Sequence, residues 1–119
     1  MTCSFCKTDE PRAHNVRTCM SLKAAILVFM SYKGASFFFD SFKEACAGAL
    51  GVALDVVLTG GMATAMSVAY AAYNECKTAV DMGTLATLSK RGQAKYLIDS
   101  GCFGSLGDNA DAIAGEIVS

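Results

Sequence analysis

The sequence is poor in histidine, in charge and in proline. His14 is the only histidine and Pro11 the only proline of the 119 residues. A single imidazole leaves no Ser-His-Asp set and no Cys-His pair that does not take His14 away from the cysteines around it, so histidine-based nucleophilic catalysis is not expected. Charged residues make up 18% of the chain, below the roughly one quarter of an average soluble domain, while hydrophobic residues reach 53%. The net charge of −1 removes the bulk electrostatic case for nucleic acid. The one glycine-rich stretch, residues 100–107, has neither a Gly-x-Gly-x-x-Gly pattern nor a closing Lys-Ser/Thr, which argues against a phosphate cradle. No two runs are joined by hairpin turn chemistry, so strands are not expected. The first twenty residues are polar, and no secretory signal is expected there.

What is present begins at the N-terminus. Cys3, Cys6, His14 and Cys19 follow the spacing Cys-x2-Cys-x7-His-x4-Cys. Zinc takes four ligands in a tetrahedron, and three thiolates with one imidazole are among its usual structural sets. A Cys-x-x-Cys turn can put two thiolates on one ion, and a loop can return a histidine and a cysteine to close the site. Four protein ligands leave no open position, so the expected zinc is structural. Residues 1–18 hold few sizeable apolar side chains, and metal binding would act as the folding energy of such a segment.

The segment Cys3-Ser4-Phe5-Cys6 with the ending His14-Asn15-Val16-Arg17-Thr18-Cys19 resembles the CCHC zinc knuckle, in particular knuckles of plant Myb-related proteins and of large DNA viruses. The family carries four residues between the second cysteine and the histidine, where this chain carries Lys7 to Ala13. The resemblance ends at residue 19. It implies zinc as cofactor and raises single-stranded nucleic acid as a partner, with Phe5 stacking on a base and Lys7, Arg12 and Arg17 meeting phosphate. A small virion component is also implied by resemblance alone.

Behind this module, residues 21–119 read as an all-α domain. The expected helices run from Leu22 to about Tyr32, stopped at Lys33-Gly34; from Phe42 to about Leu58, capped by Asp40 or Ser41; from Met62 to about Val80; from a Thr84 cap to about Asp99, with Gly83 ending the helix before it; and from Asn109 to Ile117. Phe37-Phe38-Phe39 cannot share one helix face and are either a buried connector or a membrane-interface anchor. Met62, Met66, Ala69, Tyr73, Cys76 and Val80 keep heptad spacing, which makes them a packing seam. Gly48 and Gly51 fall on one stripe of the second helix, which is read either as close approach by another helix or by a second copy of the chain, or as a tolerated, poorly forming exposed face. With the metal set removed, Cys46, Cys76 and Cys102 form an odd remainder, expected as buried free thiols in a reducing compartment, although six cysteines also allow three disulfides.

Residues 45–74 contain Asp55 as their one charge. Two architectures follow: a small helical bundle with a buried central hairpin at about 42–80, or a membrane-associated helical hairpin, where Asp55 would need a partner or mark a site. Thiol redox through Cys3 and Cys6 lacks the strand-helix setting that such chemistry uses. The function expected is non-enzymatic: a zinc-binding structural or assembly protein that meets a protein partner, a membrane or itself, with single-stranded nucleic-acid binding as the alternative.

Overall fold

A computed structural model describes residues 16–58, 61–103, 114, 115 and 117. Among these residues every regular element is a helix: α1 (Val16–Tyr32), α2 (Phe39–Leu50), α3 (Leu54–Leu58), α4 (Gly61–Ala79), α5 (Met82–Ala86) and α6 (Lys90–Asp99). Of the expected helix over 109–117, residues 114, 115 and 117 are described and helical; its other residues, and residues 1–15 of the expected zinc module, lie outside the described residues.

α1 is the central element. It contains neither glycine nor proline, and Leu22, Ala24, Ala25, Ile26, Val28 and Phe29 are all buried. A helix apolar on so many sides must be surrounded, and α1 packs most extensively on α4, then on α2 and α6. It ends where expected. Lys33 and Gly34 turn left-handed at φ 55° and 70°, and the Gly34 amide donates to the Phe29 carbonyl at 3.1 Å. A Cβ on Gly34 would sit 3.1 Å from the Phe29 ring, so both backbone and packing call for glycine here.

The expected helix Phe42–Leu58 is two helices. α2 begins earlier, at Phe39, so Asp40 lies inside its first turn, where a carboxylate suits the helix dipole. It stops at Gly51, which is left-handed at φ 70°; the Gly51 amide donates to Gly48 and the Val52 amide to Ala47, satisfying two terminal carbonyls. α3 then starts afresh. The segment Thr84–Asp99 is likewise split. Asp81, not Thr84, caps α5 by accepting from the Gly83 amide at 2.9 Å, and Ser89 caps α6 by accepting from the Gly92 amide.

The seam of α4 closes the core. Met66, Ala69, Tyr73 and Cys76 are fully buried and Val80 nearly so; the side chain of Met62 lies outside the described ones. Tyr73 meets Phe29, Phe42 and Phe37 edge-on with ring centroids 5.2, 5.3 and 5.9 Å apart. Such pairs each contribute about 0.5–1.5 kcal/mol beyond the area they bury. Phe103 reaches back to Phe29 at 6.4 Å. No helix among the described residues is long and apolar enough to cross a membrane. Residues 54–58 and 61–79 form separate helices, and Cys46, Ala47, Val57, Met66, Ala69 and Tyr73 enter one core with α1. The membrane-spanning reading of residues 45–74 is therefore replaced by a bundle in which the hairpin packs on the chain's own helices.

Candidate functional site

The expected metal and contact residues fall at the edge of the described structure. Cys3, Phe5, Cys6, Lys7, Arg12 and His14 lie outside it. Cys19 and Arg17 fall within α1, which begins at Val16, earlier than the expected Leu22. Any site closed by Cys19 is thus continuous in backbone with the central helix. Among the described residues no group of three or more histidine, cysteine or carboxylate side chains is placed to hold a metal.

The remaining cysteines differ from expectation in part. Cys46 is a free, buried thiol, and burial pushes its pKa up from 9.0 to about 12. Cys76 and Cys102 are joined in a disulfide with Cα atoms 5.4 Å apart. The expected three free thiols are therefore one thiol and one cross-link, and Cys76 and Cys102 no longer point to a reducing compartment. The bond ties the last turn of α4 to the residues just after α6, next to the buried Phe103. The odd cysteine count pointed away from this pairing; the signal available in the sequence was only that six cysteines permit it.

Asp55 is exposed in the first turn of α3, so it is not the buried carboxylate expected of a membrane hairpin. Gly48 and Gly51 are also exposed, and a Cβ at either would meet nothing within 4 Å. No described helix of the same chain packs on them. Their expected packing role inside the chain is corrected: Gly51 serves the left-handed end of α2, and Gly48 lies on an open face.

One feature the sequence did not signal is the seating of the α1–α2 connector. Tyr70, Tyr73 and Lys77 recur at helical spacing on α4. Tyr70 donates to the Phe37 carbonyl, Tyr73 to the Ala35 carbonyl at 2.7 Å, and Lys77 to the Ser36 hydroxyl at 3.1 Å. Phe37 and Phe39 turn inward, Phe37 against Tyr32 and Phe42, Phe39 against Tyr70. Lys43 covers Phe39 with its ammonium 4.5 Å from the ring centre and pairs with Asp40 at 3.1 Å. Phe38 is left pointing outward, 86% exposed on a backbone held from both sides. The aromatic triplet is thus a half-buried connector with one projecting ring.

The outward side of α4 is a second exposed feature. Thr64, Ser67, Val68 and Ala71 are exposed at helical spacing, and the next exposed charge is Glu75. Val68 is 54% exposed. The outer stripe of α4 thus presents small, uncharged side chains where surface helices usually carry charge, whereas on α2 the exposed Gly48 shares its stripe with the exposed Glu44. No protein family, curated protein or solved structure matches the chain.

Proposed function

We propose that this chain is a non-enzymatic structural or assembly component. Its helical body associates with a copy of itself or with a protein partner, and its N-terminal segment binds structural zinc through Cys3, Cys6, His14 and Cys19. The observation that carries this reading is the uncharged outer stripe of α4. Thr64, Ser67, Val68 and Ala71 are exposed, while the opposite stripe of the same helix is fully buried. Small side chains let a second helix approach closely, so van der Waals contact over the whole stripe is available to a partner. The projecting Phe38 supports the same reading, because an aromatic ring on an already ordered backbone contributes contact area at little further entropic cost.

The zinc segment leads by continuous backbone into α1, the helix most enclosed by the bundle. A metal-stabilised peg there would be rigidly coupled to the assembling body. The test is the mass of the intact protein in solution, measured by sedimentation equilibrium, with Val68→Lys and Phe38→Ser as variants. A wild-type oligomer that Val68→Lys dissociates is the expected result. A wild-type protein that stays monomeric at every concentration and captures no partner through this face would remove the reading.

A further inference from the structure

We propose that the cleft between α1 and the α5–α6 turn is a binding site for a free medium-chain fatty carboxylate. The cleft has two lobes that share Met30 and Gln93 as wall. The larger, about 420 Å³, is lined by Met30, Met82, Leu85 and Ala86, with Lys33 and Gln93 as its polar members. The smaller, about 260 Å³, adds Leu27 and Ile117 as apolar wall, with Ser31 and Lys90 as its polar members. The larger lobe alone falls within the ~300–1,000 Å³ typical of small-molecule sites, which are mostly apolar with a few polar groups that fix orientation.

Charge selects the ligand. Among the described lining residues there are two lysines and no carboxylate. Neither Lys33 nor Lys90 pairs with a carboxylate of the described residues. Asp81, beside the lining residue Met82 in sequence, has its side chain engaged by the Gly83 amide and the Thr84 hydroxyl as the cap of α5. An apolar slot with such cations at its ends is complementary to a molecule with an alkyl chain and a single anionic head.

The head is assigned to the smaller lobe. Lys90 is the first residue of α6, whose first turn carries no acidic residue, so the positive end of the helix is not offset there. Ser31 supplies a hydroxyl on the opposite wall. Gln93 is held by a hydrogen bond from its amide nitrogen to the Leu88 carbonyl at 3.0 Å, which fixes its orientation between the lobes. The chain then lies along Met30 into the lobe of Met82, Leu85 and Ala86, where methionine side chains adapt to a flexible alkyl tail. Lys33 stands at the far mouth with a left-handed backbone at φ 55°, a conformation that non-glycine residues rarely hold.

The experiment is calorimetric titration of the full chain with dodecanoate below its micellar concentration. Dodecyltrimethylammonium and 1-dodecanol test the charge, and phosphatidylglycerol vesicles test a membrane source. The expected result is saturable binding of one dodecanoate per chain, no saturable binding of the cationic analogue, and weak binding of the alcohol. Lys90→Gln should weaken dodecanoate about tenfold or more. Lys33→Asn should weaken it less; asparagine is chosen there because it tolerates a left-handed backbone. Ala86→Trp, placed on the exposed wall of the larger lobe, should block binding while the helical circular-dichroism spectrum is unchanged. Absence of saturable dodecanoate binding overturns the proposal. So does equal affinity for the cationic analogue, an unaffected Lys90→Gln variant, or binding to vesicles alone.

Discussion

Tyr73 of α4 holds the carbonyl of Ala35 at 2.7 Å, across 38 residues of chain, while its ring is packed among Phe29, Phe37 and Phe42. One side chain thus joins the core to the α1–α2 connector. The two contributions are separable by mutation. Tyr73→Phe keeps the rings and removes the hydrogen bond. Because Ala35 is exposed, water can replace the lost donor, and the expected loss is near the lower end of the usual range, about 0.5 kcal/mol. Tyr73→Ala empties the centre of the cluster and should cost about 3–5 kcal/mol. Urea denaturation of both variants measures the difference.

The same residue links stability to alkaline pH. Burial raises the Tyr73 hydroxyl from 10.0 to about 12, with a smaller contribution from Cys46, and burial raises the Cys46 thiol from 9.0 to about 12. Each group is neutral when protonated, and the unfolded chain loses these protons at lower pH than the folded one. Their contribution is therefore fully present below the unfolded values and is lost as pH rises through the folded ones. Stability should be level up to about pH 9 and decline from there towards pH 12. In Cys46→Ala and in Tyr73→Phe the decline should be shallower. An identical slope in all three proteins would exclude these groups as its source.

Gly48 and Gly51 should respond in opposite senses. Gly48 is helical, exposed and has nothing within 4 Å of an added Cβ, so Gly48→Ala should stabilise the monomer by up to about 1 kcal/mol. Gly51 has the same open space but φ 70°, so Gly51→Ala should cost about 1–2 kcal/mol through backbone strain alone. Thermal melts decide both signs. If a second copy packs on this face, Gly48→Leu will in addition shift the sedimentation mass.

Reduction should loosen the C-terminal third. The Cys76–Cys102 bond closes a loop of sequence separation 26 that contains α5 and α6. By loop-closure entropy such a cross-link is worth about 3–4 kcal/mol. A Cys76→Ser, Cys102→Ser double variant should lose that much stability and denature at a lower urea midpoint. Hydrogen exchange should rise first in α5 and α6, and a variant as stable as the parent would contradict this role of the bond.

The N-terminal segment is expected to bind one zinc per chain through Cys3, Cys6, His14 and Cys19. Elemental analysis checks this, with Cys6→Ser, Cys19→Ser losing the metal. Titration with single-stranded oligonucleotides then divides the two uses of the module. Under the assembly reading, no salt-sensitive binding appears. Under the nucleic-acid alternative, affinity falls steeply with salt, and Phe5→Ala loses about 1–3 kcal/mol of binding.

Much of the helical plan was legible along the chain. The unbroken apolar run of α1, its stop at Lys33-Gly34 and the seam Met66, Ala69, Tyr73, Cys76 of α4 are local patterns of period and turn chemistry, which short stretches specify by themselves. Periodicity alone joins α2 to α3 and α5 to α6, because it overlooks competing local bonds: the left-handed Gly51 with its paired amides, and the Asp81 and Ser89 caps. These are also local, but a glycine in a helical pattern does not announce whether it continues or ends the helix.

Other properties arose only from tertiary structure. Low charge over residues 45–74 is compatible with lipid or with a protein core, because both exclude water. The choice was made by α1, whose own apolar surface meets Met66, Ala69 and Tyr73 far away in sequence. The pairing of Cys76 with Cys102 depends on two helices bringing their Cα atoms to 5.4 Å, a distance no spacing rule encodes. The face of Gly48 was open for the same reason. Periodicity states which residues share a side of a helix, but only the packed bundle determines which side remains uncovered.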